Sequence, residues 1–346
     1  MDTFFITRIF ILTTVSFLLT LAWTPVLTYF LFTYRLGKGI RDSSSAPVFA
    51  SLHQKKAGTP TMGGILIWGT TLFLILILAI FAQLFNGIFD KLNFFSRSET
   101  LLPLGALVAS ALVGLVDDLF DIWRKGKDGG GLRMRHRFII YGIIAAVGAW
   151  WFFFKLEWTV LAVPFLGTYD IGWWYVPFFF FVIIATAHAV NLTDGLDGLA
   201  GGTLLIAFGA YGAIAFAQGR YDLATFCGVI IGALMAFLWF NINPARFFMG
   251  DTGSMSLGVT LGIIAMLTNA AFLLPIIGFI FVIETLSVIA QISSKKLFGR
   301  KLFISSPLHH HLEAKGWPEP KIVMRFWLIA SVTSIIGLIL FLIDKG

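Results

Sequence analysis

The chain of 346 residues is 58% hydrophobic and only 12% charged, with a net charge of +7, 37 Phe and 11 Trp. Water-soluble domains carry about 25% charged residues, so this composition excludes a soluble globule and points to a lipid-embedded body with aromatic residues at its interfaces. The single cysteine, Cys227, excludes an intramolecular disulfide and a multi-cysteine metal site.

A helix that crosses a bilayer needs about 20 mostly apolar residues. Runs at 9–32, 63–86, 101–119, 138–154, 173–190, 199–217, 222–241, 255–271, 273–294 and 322–343 predict ten spans. They are continuously apolar rather than alternating, which selects helices over barrel strands. The first run is too long for a signal-peptide core and lacks a small-residue cleavage site, so it reads as an uncleaved helix. The predicted fold is all-α, a single polytopic membrane domain over 1–346. Loops after the odd-numbered spans carry eighteen Lys and Arg, among them Arg35, Lys55, Lys56, Arg124, Arg137, Lys295 and Lys301, against six on the opposite face. The positive-inside rule places those loops in the cytoplasm and both termini on the periplasmic side. Topology thus accounts for the basic residues, and nucleic acid is not an expected partner.

The polar residues gather in the same loops. Lys56 and Thr61 follow span one in HQKKAGTPTMGG, whose glycines open span two and offer an anion-binding helix start. Asp117 and Asp118 close span three in LVGLVDDLFD. Adjacent helical residues point about 100° apart, so one carboxylate can face a cavity while the other pairs with a neighbouring helix, unless both are simply solvated. After span five, VNLTDGLDGLAGG sets Asn191, Asp194 and Asp197 among Gly195 and Gly198. Asp197 there is expected to cap the next helix, with Asn191 and Asp194 facing outward, or both aspartates serve only the turn. In FNINPARFFMGDTGS, Gly250 and Gly253 flank Asp251, suiting presentation of its carboxylate to Mg²⁺, which favours one or two carboxylates plus water and phosphate oxygens. Phe248 either stacks on a base, with Asn241 at that base's edge, or meets lipid.

His309, His310 and His311 follow span nine in SPLHHHLEAKGW. Consecutive residues cannot easily give three ligands to one metal, so they read as donors near a phosphate or as a solvated triplet. Glu284, deep in span nine, reads as a structural ion or hydrogen-bond partner. No GxxxxGK[ST] is present, and no GxGxxG follows a strand. Carboxylates, a metal candidate and basic residues at one membrane face suit phosphoryl transfer, with Lys56, Arg137 and the histidines offsetting phosphate charge.

Taken in order, GTPTMGG, LVGLVDDL, NLTDGLDGLAGG, FNINPARFFMGDTGS and SPLHHHLEAKGW resemble the phospho-N-acetylmuramoyl-pentapeptide-transferases, the MraY translocases. These belong to the polyprenyl-phosphate N-acetylhexosamine-1-phosphate transferases. The resemblance implies transfer of phospho-MurNAc-pentapeptide from UDP-MurNAc-pentapeptide to undecaprenyl phosphate, giving lipid I and UMP with Mg²⁺ as cofactor. It implies that Asp251 holds the metal and that Asp117, Asp118 and Asp251 serve catalysis. Lys56, Thr61, Asn191, Asp194, Gly195, Leu196, Asp197, Asn241 and Phe248 would line the donor pocket, with Gln291 and His309 to His311 at its rim. It further implies a bent ninth helix beside a lipid groove, a homodimer, and a bacterial cytoplasmic (inner) membrane location with the site on the cytoplasmic face. The chain departs from the family at Gly130, usually basic, at Arg137, usually Lys, and over 40–52, usually Gly-Pro-rich. A sister enzyme using UDP-N-acetylglucosamine shares the aspartates, but the triple histidine and TPTMGG argue against it. A transporter would set its acids near the midplane at broken helices, whereas here only Glu284 lies deep.

Overall fold

All ten apolar runs become helical, in the predicted order, in the computed structural model, which describes residues 2–37, 56, 58–85, 87–97, 99–123, 132 and 134–345. Lys55, Arg124, Gly130 and the segment 40–52 lie outside the described residues. The elements in order are α1 (Asp2–Thr33), α2 (Ile65–Leu84), the short α3 (Ile88–Leu92), α4 (Leu101–Ile122) and α5 (Met134–Trp150, extended to Lys155 by a π-helical turn). A two-stranded hairpin, β1 (Val160–Val163) and β2 (Gly167–Asp170), precedes α6 (Tyr175–Thr193), α7 (Leu199–Ala217), α8 (Tyr221–Asn241) and α9 (Asp251–Leu267). The chain ends in α10 (Leu274–Ile277), α11 (Phe279–Phe298), α12 (Leu308–Ala314) and α13 (Glu319–Lys345).

Among the described residues, eight helices are long and apolar enough to cross a bilayer, and α10 with α11 makes a ninth if the pair, bent by 82°, counts as one span. The remaining predicted span, α9, has 17 residues. At 1.5 Å per residue that is about 25 Å, short of the ~30 Å hydrocarbon core. It has no need to match the bilayer, because every residue of it is buried in protein.

Small residues make that burial possible. The α9 sequence DTGSMSLGVTLGIIAML lays Gly, Ser and Thr against α2, α4, α6 and α7. A methyl group on Gly64 would lie 2.3 Å from the Gly253 Cα, and one on Gly114 would lie 2.4 Å from the Asp251 carbonyl oxygen. Backbones therefore touch backbones, the arrangement by which apolar helices associate where lipid removes the hydrophobic drive between them.

The fold is mostly helical as expected, with one short hairpin added. Val160 pairs with Asp170 and Val163 with Gly167, in antiparallel register. Four-residue strands between strong helical runs leave too short an alternation for the sequence pattern to register.

Polar contacts sort the helix ends into two sets. At one end, Arg8 pairs with Asp222 at 2.8 Å, the Leu223 N–H donates to Glu99, Gln218 donates to the Thr268 carbonyl, the Ala162 N–H donates to Asn269, and the Phe165 N–H donates to Asp344. The first and last helices thus both bring a chain-terminal end to this side. The predicted functional residues collect at the other.

Candidate active site

The centre of that opposite end is the start of α9. Gly250 turns the chain at φ 76°, and Asp251 is the first helical residue rather than part of the preceding loop. Four unbonded N–H groups at a helix start attract negative charge. Asp118 supplies it: its two oxygens accept the Asp251 and Thr252 N–H groups, each at 3.0 Å. Gly250 has no room for a side chain, since a Cβ would lie 2.6 Å from that same carboxylate. Asp118 therefore acts as a brace that fixes where Asp251 stands.

Asp117, one residue earlier, points elsewhere, as a helix demands. Its Oδ1 accepts the Leu132 N–H, and its Oδ2 lies 2.7 Å from Arg137 Nε. The latter is an ion-pair contact rather than an aligned hydrogen bond. Arg137 also donates to Asp251 Oδ2 at 2.9 Å and to Asn191 Oδ1 at 3.3 Å. Asn191 in turn donates to Asp251 Oδ1 at 2.6 Å and to Ser254 at 2.9 Å. Asn191 was expected in an outward-facing loop. It sits instead inside α6, whose last turn carries it into the bundle against α9. One guanidinium thus bridges two buried carboxylates from α4 and α9, and an amide from α6 completes the group.

A second cluster flanks the first. Lys56 Nζ donates to Asp197 at 2.7 Å and to Glu319 at 2.6 Å, and stands 5.9 Å from the centre of the half-buried Phe248 ring. Asp197 does not cap α7, contrary to expectation. Gly198, at φ 80°, takes the cap position and turns the Asp197 carboxylate towards the Asn243 amide and the Ala245 N–H, both at 3.0 Å. Asn241 accepts the Gly198 N–H and donates to the Phe247 carbonyl, so its amide ties two loops together. The expected anion-binding start of α2 is likewise occupied, because Gly63 and Gly64 donate to the Phe248 and Met249 carbonyls.

The histidines form the third cluster, on α12 rather than in a loop. They diverge. His309 and Glu284 are both fully buried and lie 3.0 Å apart, Nδ1 to Oε2, while the His309 N–H donates to the other Glu284 oxygen at 3.2 Å. A carboxylate acceptor places a ring proton on Nδ1. Nε2 is buried without a hydrogen-bond partner among the described residues and faces Gly195, where a Cβ would lie 2.2 Å away. His310 contacts Glu313 at 2.7 Å. His311 Nδ1 accepts the Ile304 N–H, and burial together with Lys315 holds this imidazole below its ordinary pKa.

Leu196, Gln291 and Asp194 complete the set of predicted positions. Leu196 packs in an apolar cluster with Leu199, Ile322 and Phe326. Gln291 fastens the segment after α11, accepting the Leu302 and Phe303 N–H groups and donating to the Phe303 carbonyl. Asp194 is half-buried at the end of α6, beside Gly195. The sequence reading missed Glu319, Asn243 and Ser254. An acid opening the last span on the basic face was the available signal for Glu319.

Among the described residues no three His, Cys, Asp or Glu converge as a ready metal cage. The point between Asp117 and Asp251 nevertheless fits a hard cation. Its donors are oxygens, a positive charge already rests there, and Thr61 Oγ1 lies buried beside Gly250 with no hydrogen-bond partner among the described residues. Mg²⁺ is commonly held in this way, by one or two carboxylates plus phosphate oxygens.

Comparison with known proteins finds relatives over nearly the whole chain. Residues 100–269 match the model described as glycosyl transferase family 4, and residues 56–67 match phospho-N-acetylmuramoyl-pentapeptide-transferase signature 1. Proteins named phospho-N-acetylmuramoyl-pentapeptide-transferase from Geobacillus thermodenitrificans and Geobacillus kaustophilus are 41% and 42% identical to it, each over 94% of this chain and 95% of its own length. One of that name from Bacillus anthracis is 40% identical over the same shares. The signature covers Lys56 and Thr61, the longer match covers both central carboxylates and Arg137, and the similarity runs nearly end to end: the chain belongs to the phospho-N-acetylmuramoyl-pentapeptide-transferase family.

Proposed function

We infer that the chain transfers phospho-MurNAc-pentapeptide from UDP-MurNAc-pentapeptide to undecaprenyl phosphate, giving lipid I and UMP in peptidoglycan biosynthesis. The observation that carries the assignment of residues is the Arg137 bridge between Asp117 and Asp251. A phosphate oxygen of the lipid attacks the sugar-bearing phosphorus of the donor, and the bond to the UMP oxygen breaks. Charge on the transferred group must be neutralised throughout, and catalysis of this kind is mostly positioning and electrostatics.

Asp251, with Asp117, would hold Mg²⁺, which supplies charge neutralisation on the pyrophosphate. Asp118 keeps the start of α9 fixed through the two amides it accepts. Arg137, released from its carboxylates, can turn its fork to phosphate oxygens, a bidentate geometry that guanidinium favours. Asp117 keeps the lipid phosphate deprotonated. Lys56 and Phe248 form one wall of the donor pocket, charge above ring, and Asp197, Asn241 and Glu319 hold that wall in place. Asn191 and Thr61 contribute oxygens at its base, Asp194 and Gly195 its edge. Leu196 supports that edge from the apolar side, and Gln291 and His309 to His311 position the rim.

The excess of basic residues at the site end supports ten crossings with the site on the cytoplasmic face of the bacterial inner membrane and both termini in the periplasm. The protein acts as a homodimer, a reading that rests on the family resemblance. The direct test uses purified protein in detergent with undecaprenyl phosphate and measures UMP released from UDP-MurNAc-pentapeptide and, separately, from UDP-N-acetylglucosamine. Mg²⁺-dependent release from the first alone is expected. Release from the second alone would assign the chain to the sister reaction.

A further inference from the structure

The end of α11 does no work in the site described above, yet it is strongly patterned. Beyond the 82° bend the helix ends in SSKKLF, and Gly299, at φ 67°, reverses the chain into GRKLFI. The returning segment is fastened rather than loose: Gln291 holds Leu302 and Phe303 through three hydrogen bonds, and Ser294 donates to the Arg300 carbonyl at 2.9 Å.

This rigid tip carries two kinds of exposed group. Lys295, Lys296, Arg300 and Lys301 are all exposed, and no Asp or Glu occurs between Glu284 and Glu313 to offset them. Interleaved with them, Leu297 and Phe298 are 72% and 70% exposed, with Leu302 and Ile304 exposed beside them. A groove of about 440 Å³ opens between the limbs, bounded in part by Ser293, Ser294, Phe298, Arg300 and Lys301. A purely solvated loop would not bare four large apolar side chains, and a buried interface would not bring with it four cations that pair with no carboxylate among the described residues. Apolar groups that dip between acyl chains, beneath cations at headgroup level, match an anionic bilayer surface.

We propose that the α11 tip is a binding site for the phosphate headgroups of anionic bulk phospholipid, seating the α11–α12 arm against the leaflet on the site's face. The occupant is a membrane lipid rather than a soluble anion, because the groove's cations share it with side chains that only an acyl layer would cover.

The test is a lipid-dependent thermal shift on the full chain in dodecyl maltoside, with phosphatidylglycerol, phosphatidylcholine or soluble glycerol phosphate added. Phosphatidylglycerol should raise the unfolding midpoint of the unsubstituted protein, and the other two should not. In K295Q/K296Q/R300Q/K301Q the phosphatidylglycerol shift should fall by more than half, with the midpoint in phosphatidylcholine unchanged. A full shift in that variant overturns the proposal. So does an equal shift from glycerol phosphate, which would mean a free-anion site, or a smaller particle mass by light scattering, which would mean a surface between copies. Should the quadruple variant fail to fold, the pair R300Q/K301Q should also reduce the shift, and an undiminished shift there overturns the proposal equally.

Discussion

Asp118 and Asp251 are neighbours in space with different work, and their variants should separate. In Asp251→Asn the carboxylate leaves both Arg137 and Asn191, while the backbone of α9 keeps its brace. Mg²⁺-dependent UMP release should fall at least about 100-fold, the scale of losing one transition-state charge partner, with an unfolding midpoint close to that of the parent. Asp118→Asn instead turns an amide NH₂ towards one of two N–H groups, a mismatch that costs about 1–3 kcal/mol when buried. Its midpoint should drop together with its activity, and an Asp118→Asn protein that is inactive but undiminished in stability would make Asp118 a chemical group instead. His311 offers a pH test at the same scale. Its folded pKa lies below the ordinary imidazole value, so the unfolded chain takes up a proton first as the pH falls through that range. The Ile304 amide it accepts should therefore exchange hydrogen faster at pH 5.5 than at pH 7.5, after correction for intrinsic rates. These residues were readable as a set from types and spacing. Their division of labour was not, because whether a carboxylate meets a cation or a helix start depends on which way a neighbouring helix enters.

Helix α4 shows what one element must satisfy. Gly114 lies where α4 crosses the start of α9, and Gly105, two and a half turns away, meets open space. Gly114→Ala should push on the Asp251 carbonyl, reducing both stability and UMP release, since overpacking of this kind commonly costs about 1–3 kcal/mol. Gly105→Ala should leave both close to parental or slightly improved, alanine being the better helix former. Equal behaviour of the two variants would remove close backbone approach as the reason for Gly114. Hydrophobic run length was enough to find the helices, and it located α7 and α8 to within a residue. It began α9 four residues late, because DTGS is polar and reads as loop when nothing reveals that protein, not lipid, surrounds it. It passed over the hairpin for lack of length.

For the molecule as a whole, orientation is the property that composition predicts most sharply. The hairpin and the α11 tip belong to opposite ends of the bundle, so single cysteines placed at each should label from opposite sides. In Thr168→Cys an impermeant maleimide should react on intact spheroplasts, and in Lys301→Cys only after lysis. Native Cys227 is buried and should stay silent. The reverse pattern would invert the whole reading of where the reaction occurs. The convergence of scattered loops was visible in the sequence only as a clustering on one face, since nothing in chain order tells Lys56 that its partners are Asp197 and Glu319. Finally, the sheathing of α9 has a mechanical consequence. Membranes stretch, thin and change their acyl composition, and helices in contact with lipid tilt or shift to follow. The helix that begins at Asp251 touches no lipid, so such adjustments reach it only through its neighbours, and the reacting geometry is shielded from the state of the bilayer that delivers its substrate.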